Sequence, residues 1–288
     1  MHTYEEHYHA CREVYDKNNE NSKYSSLYGL IADLELFEKN DEYMRIINGL
    51  AAKASDRMNK SEGCRRDPHA LRLKQALDIP EISEFAELVM PTIEEQVLQS
   101  NATIETVHIY RSIPDEGGYM EVGSSPEDRL WVPQAPTESW LWHYDDCPRE
   151  FLKLMVYLND VDKKSGCFRL LVEEDGTMPV IETFRKSPYR PHGDRPQSYP
   201  KSRIPWQVTS EMMENGAQVV DVVGPAGTAA LITPNIYHRA TIPSADCENP
   251  RDVMFFFIRP CLEKREGYIN ESTTTFETAR NVKNYTLD

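Results

Sequence analysis

The sequence predicts a mainly β protein with a helical N-terminal part. Two observations carry this reading. From about Ile104 onward the chain runs as short apolar stretches separated by turn residues, eight of them in succession. Before that point, apolar residues recur every three or four positions with little β-branched clustering. Eight short strands in sequence fit a sandwich, a barrel or a jelly roll.

In chain order, "SLYGLIADLELFEKNDEYMRIINGLAAKASDRM" carries the helical period. A second helix is expected over "PEISEFAELVMPTIEEQVLQSN". Pro80 stands near its start, where a missing N–H costs nothing, and acids fill its first turn. The strand candidates are "TIETVHIYRS", "SWLWHYDD", "FLKLMVYLND", "CFRLLVEE", "MPVIETF", "AQVVDVV", "GTAALITP" and "DVMFFFIRP". Proline and basic residues break this rhythm between Arg185 and Trp206. The tail after Cys261 is polar and is expected outside the core. The expected organisation is one structural domain. Residues 1–103 form a helical region packed on the core, 104–262 form the β core with an insertion at about 183–206, and 263–288 form a tail.

The 288 residues suffice for one large core. Hydrophobic residues make up 40% and charged residues 27%, as in soluble globular proteins. No apolar run approaches the length of a membrane span. The opening "MHTYEEHYHACREVYDK" is charged and has no apolar centre, so no signal peptide is expected. A formal charge of −15 argues against nucleic acid or an anionic membrane as a general partner. The six cysteines are scattered without a C-x-x-C pair, which excludes a zinc-ribbon pattern and fits reduced thiols in a cytoplasmic protein.

Chemistry concentrates in "SWLWHYDDCPREFLKLMVYLNDVD". On a strand, residues two apart share a face, so His143 and Asp145 point together while Trp142 and Tyr144 take the other side. A second His-x-Asp triplet, His192-Gly193-Asp194, lies among prolines and reads as an exposed loop. With eight histidines and 47 acids, the triplet alone is weak evidence. A non-haem iron site needs two histidines and one carboxylate on one side of the metal. "GTAALITPNIYHRAT" supplies His238 just after an apolar strand and a turn. Arg251, at the mouth of "DVMFFFIRP", can grip a carboxylate bidentately, and Arg259 on the same alternating face competes for that role.

Taken together, His143-x-Asp145, "LKLMVYLNDVDKKSGCF", "GPAGTAALITPNIYHRA" and Arg251 resemble the phytanoyl-CoA dioxygenase-like branch of the Fe(II)/2-oxoglutarate oxygenases. The resemblance covers roughly residues 104–260. It implies a double-stranded β-helix, a cupin-like jelly roll. It implies Fe(II) held by His143, Asp145 and His238, and 2-oxoglutarate with its far carboxylate on Arg251. Lys153 is a second candidate contact for the cosubstrate. Tyr110 is a candidate hydrogen-bond donor. Thr241 stands in for a hydroxyl that some relatives carry two residues after the second histidine, where this chain has Ala240. In such enzymes O2 and 2-oxoglutarate drive substrate oxidation with release of succinate and CO2. Hydroxylation, desaturation and oxidative cyclisation are all reachable, whereas Asp145 disfavours halogenation.

The insertion bears Arg185, Lys186, Arg190, Arg195, Lys201 and Arg203 against the single acid Asp194. In so acidic a chain this local reversal points to a small anionic, carboxylate-bearing metabolite as substrate, with Arg190, Arg195 and Arg203 as contacts. A role in biosynthesis follows as an expectation. A non-redox metal protein, either an isomerase or hydrolase or a binding module, would use the same His/Asp/His set and stays open at this stage.

Overall fold

The computed structural model describes residues 32–33, 36–67, 69–114, 119–122, 130–133, 139–145, 147, 151–176, 178–179 and 202–275. Strand β1 (Ala32–Asp33) precedes helix α1 (Asp41–Asn59). A hairpin of β2 (Cys64–Asp67) and β3 (Ala70–Leu73) leads to helix α2 (Pro80–Thr92). Then come β4 (Ala102–Ser112), β5 (Tyr119–Val122), β6 (Leu130–Pro133), β7 (Leu152–Tyr157) and β8 (Phe168–Val172). Helix α3 (Trp206–Glu214) is followed by β9 (Gln218–Val222), β10 (Ala229–Ile232), β11 (His238–Ala240), β12 (Asp252–Pro260) and β13 (Thr274–Thr275). No helix among the described residues is long and apolar enough to cross a membrane.

The strands form a major sheet in the order β1-β10-β7-β12-β4-β3-β2, with β13 added beside β4, and a smaller sheet in the order β11-β8-β9. The fold is mainly β, a double-stranded β-helix of the jelly-roll type. Strand β12 lies at its centre, antiparallel to β7 on one side and β4 on the other. Alternation along β12 sorts its side chains. Met254, Phe256 and Ile258 join Leu152, Leu154 and Val156 of β7 in the core beneath the helices. Val253 and Phe255 join Met155, Tyr157, Phe168 and Leu170 in the interior between the sheets. Both faces of these strands are buried, which explains why their sequences read as unbroken apolar runs.

Helix α1 starts where the Asn40 side chain accepts the Tyr43 N–H. It buries Tyr43, Ile46, Ile47, Leu50, Ala54 and Met58, the one-sided stripe expected of an amphipathic helix. Pro80 opens α2 as expected. Pro91, near its end, has no N–H to give, and the chain widens into a π-helical turn over Ile93–Leu98. Within the stretch read as mainly helical, β2 and β3 add a hairpin that pairs onto β4. "CRRDPHALRL" has no Val, Ile or Thr, so the extended state comes from pairing rather than propensity.

The turn after β7 is closed by Asp162. Its carboxylate accepts from the Lys164 and Ser165 N–H groups and the Ser165 hydroxyl. Gly166 follows at φ +87°, where a Cβ would meet Pro243 at 2.8 Å and the Thr241 carbonyl at 3.0 Å. Only glycine fits there, and the turn it makes delivers Phe168 to the interior.

Phe256 is fully buried at the centre of β12, with its ring 6.0 Å from that of Phe85 on α2. Phe256→Ala is expected to cost about 3–5 kcal/mol. A urea titration of wild type and variant measures this as a lowered midpoint with an unchanged slope.

Candidate metal centre

The two histidines of the expected site face each other across a single antiparallel bridge. The His143 N–H donates to the His238 carbonyl at 2.9 Å, and the His238 N–H donates to the His143 carbonyl at 3.0 Å. Directly paired residues send their side chains to the same side, and the two rings lie 4.3 Å apart. Each Nδ1 sits on the carbonyl two residues earlier in the chain. His143 Nδ1 is 2.7 Å from the Leu141 oxygen, and His238 Nδ1 is 2.8 Å from the Ile236 oxygen. A proton held on Nδ1 leaves both Nε2 lone pairs facing the same space.

Asp145 completes the set. Its Oδ1 lies 3.8 Å from His143 Nε2 and 3.6 Å from His238 Nε2. All three donor atoms fall within 4.8 Å of one another. Its backbone N–H is fixed on the Pro234 carbonyl at 3.0 Å. The other carboxylate oxygen, Oδ2, receives Lys153 Nζ at 2.6 Å. Residues 139–145, read from sequence as a strand, are paired on both sides without forming a regular ladder. One side meets 202–204 and the other meets 234–240. Trp142 and Tyr144 take the opposite face as expected, in a separate core with Leu171, Ile204 and Tyr237.

The charges follow from burial and neighbours. Burial, with His238 and Arg203 beside it, holds His143 well below the usual histidine value. Burial also lowers His238, against the pull of Asp145. For Asp145, burial opposes ionisation, but Lys153, His238 and His143 outweigh it and hold the carboxyl well below its ordinary range. The set is therefore two neutral imidazoles and one carboxylate, the donor chemistry that suits a non-haem Fe(II) site.

Arg251 lies on the same inner face, just before β12, and is 1% exposed. Its Nη2 donates to the Ser112 hydroxyl at 3.1 Å and the Tyr110 hydroxyl at 3.4 Å, and Nε donates to Ser112 at 3.3 Å. Its Nη1 is buried with no hydrogen-bond partner among the described residues, and no carboxylate there pairs with the guanidinium. Arg259, its competitor, is bound to buried Glu105 at 2.9 Å, with both side chains almost wholly enclosed.

A cavity of about 300 Å³ opens over the three donors. Tyr110, Lys153 and Arg203 line it, and so does Ala240. Thr241 is not among the lining residues, and its hydroxyl donates to the Cys167 carbonyl at 3.3 Å. Arg190, Arg195 and the competing triplet at His192 lie outside the described residues. Three basic side chains of the lining went unread in the sequence: His69, Arg72 and His108. Arg72 pairs with Asp67 at 2.6 Å and lies 4.8 Å from the centre of the Tyr110 ring. Burial, with Arg72 and Lys153 nearby, pushes His108 down to about 3. The alternation in "TIETVHIYRS" already puts His108 on the face of Tyr110 and Ser112. His69 and Arg72 depend on the hairpin joining β4, which no local pattern announces. Arg72, Lys153 and Arg203 are the lining cations, and Asp145 is the one carboxylate among the described lining residues.

No protein-family model matches the chain, and no curated protein matches it. Among solved structures, the fold is similar to EctD from S. alaskensis in its apoform. The TM-score is 0.50 at 12% identity, over 87% of this chain and 80% of that one. EctD has also been crystallised with Fe, and with 2-oxoglutarate and 5-hydroxyectoine. The non-heme alpha ketoglutarate dependent epimerase SnoN from nogalamycin biosynthesis aligns with a TM-score of 0.48 at 12% identity, over 88% of this chain and 83% of its own. HygX from Streptomyces hygroscopicus with iron bound aligns with a TM-score of 0.39 at 16% identity, over 82% and 84%. At such identities, the likeness to EctD establishes a shared fold.

Proposed function

We propose that this protein is a non-haem Fe(II)/2-oxoglutarate-dependent oxygenase that oxidises a small anionic metabolite. The observation that carries the reading is the convergence of His143, Asp145 and His238 in a barrel interior that also buries Arg251 without a carboxylate partner among the described residues. A guanidinium enclosed in this way calls for an anion. The reading takes the chain as one domain, with residues 104–262 as the catalytic core.

In this reading His143 and His238 present Nε2, and Asp145 presents Oδ1, to Fe(II). Arg251 grips the far carboxylate of 2-oxoglutarate with Nη1, while Tyr110 and Ser112 hold the guanidinium in place. Arg259 is already committed to Glu105, which favours Arg251 as the anchor. When bound, Fe(II), 2-oxoglutarate and O2 supply the oxidising power, with succinate and CO2 released. Phe168, Phe255 and Phe257 line the cavity and keep water from the reacting centre. The cations Arg72, Lys153 and Arg203 support an anionic substrate, oriented for hydroxylation, desaturation or cyclisation. Arg190 and Arg195 extend this cationic character along the basic insertion.

Purified protein loaded with Fe(II) is expected to convert 2-oxoglutarate to succinate in an iron-dependent manner. His143→Ala or His238→Ala should abolish this while the circular dichroism spectrum stays unchanged. Succinate formation that survives either substitution, or that proceeds without iron, would sink the reading. Arg251→Gln should weaken 2-oxoglutarate binding by about 2–5 kcal/mol, roughly thirtyfold or more, with Co(II) binding little changed. Calorimetric titration measures both, and an unchanged cosubstrate affinity would move the anchor elsewhere.

Metal affinity carries a pH signature. Histidines must be deprotonated to ligate, and burial lowers the pKa of both ligand histidines. Co(II) binding is therefore expected to hold as pH falls through the ordinary histidine value near 6.5, and to be lost only at lower pH. A midpoint at about 6.5 in a Co(II) titration series would show that the two imidazoles are not held neutral.

A further inference from the structure

Lys153 has a place in the site that a second cosubstrate contact does not by itself explain. Its ammonium is 2.6 Å from Asp145 Oδ2 and 3.4 Å from His238 Nε2, the very atom proposed to bind iron. Three aromatic rings surround it. The centroids of Phe255, Phe257 and Phe168 lie 4.6, 5.5 and 5.8 Å away. The side chain is buried, and Asp145 is its one carboxylate partner among the described residues. The rings attract a cation, and the carboxylate fixes it beside the donors.

The charges in this space decide what the lysine does. The imidazoles are neutral and the single carboxylate is cancelled by the ammonium. A divalent ion seated among the three donors brings a double positive charge that nothing local offsets. Further cations stand nearby rather than anions: Arg203 beside His143, Arg72 in the cavity wall and Arg251 toward the opposite end of β12. Like charges a few ångströms apart repel far more strongly inside a protein than in water. The metal alone is therefore disfavoured. A dicarboxylate arriving with it offsets the excess at both ends, with one carboxylate near Lys153 and the other at Arg251.

We propose that Lys153 couples the two binding events, weakening the site for a divalent ion alone and strengthening it once the dicarboxylate cosubstrate is present. This rests on the reading of His143, Asp145 and His238 as metal ligands and of 2-oxoglutarate as cosubstrate. The lysine thus acts as a check against loading metal into a site that has no cosubstrate. Coupling of this kind is reciprocal, so the ion must favour the dicarboxylate by the same factor.

The test is a Co(II) titration of the metal-free full chain, followed by calorimetry and by the cobalt absorption bands. It is run without and with N-oxalylglycine, a non-reacting dicarboxylate, so that no turnover is needed. Wild type is expected to bind Co(II) at least about tenfold more tightly with the dicarboxylate, within the usual span of coupling factors. Lys153→Met is expected to bind Co(II) alone more tightly than wild type, by a similar factor, and to lose most of the coupling. Lys153→Arg should restore it. If Lys153→Met does not fold, Lys153→Gln carries the same comparison. A merely structural lysine would weaken both titrations together. Co(II) binding that stays unchanged or weakens in the neutral variants, or coupling that persists in them, overturns the proposal. The metal reading has its own control in His238→Ala. Undiminished Co(II) binding in that variant would mean that the ligand assignment, rather than the role of Lys153, has failed.

Discussion

Two backbone hydrogen bonds between His143 and His238 are the constraint on which the site depends. They bring together residues 95 positions apart and send both imidazoles to the same side. The carbonyls of Leu141 and Ile236 then set each ring's tautomer, so that both Nε2 atoms converge without help from another side chain. Asp145 follows two residues after His143, and period-two alternation brings its carboxylate to the same space. Any slip in this pairing would turn one imidazole toward the core of Trp142, Tyr144 and Tyr237.

The rest of the architecture serves to make that pairing rigid. Strand β12 sits between β7 and β4 and buries large side chains on both faces. One face is sealed by α1 and α2, and the other forms the floor of the cavity. On the inner face Lys153 is partnered by Asp145, and Arg251 by Tyr110 and Ser112. Arg251 keeps a buried N–H without a partner among the described residues. Such a group is costly when left unpaired, although Arg251 itself is not among the residues lining the cavity.

The charged residues lining the cavity differ from the balance of the whole chain. The chain carries a formal charge of −15, yet the cations lining the cavity are Arg72, Lys153 and Arg203. Two of these three have carboxylate partners, Arg72 with Asp67 and Lys153 with Asp145. Low dielectric in the interior sharpens each of these interactions. It also makes the spacing between Lys153 and the ligand set matter more than the net charge of the protein.

Much of this was legible along the chain, for a physical reason. Alternation at His143 and Asp145 and apolar runs buried on both faces are local patterns, and local stereochemistry imposes them. The same alternation placed His108 beside Tyr110, although only Tyr110 was read as a candidate. What local pattern cannot encode is which partner a charged side chain finds. Arg251 and Arg259 occupy equivalent positions on one face of β12, and only the bulge opposite Ile258, which brings Glu105 to Arg259, separates them. Lys153 read as a cosubstrate contact because nothing local pairs it with its nearest anion, Asp145, eight residues earlier in the chain. His69 and Arg72 reach the cavity because β3 pairs with β4, and the β2–β3 segment has no β-branched signal of its own. Sequence by itself determined the mainly β fold class and the shared face of His143 and Asp145, because backbone alternation is short-range, whereas His238 joins them through a pairing 95 residues away. Tertiary structure decided which buried cations have a carboxylate partner among the described residues, because ion pairing depends on distances that only the folded chain sets.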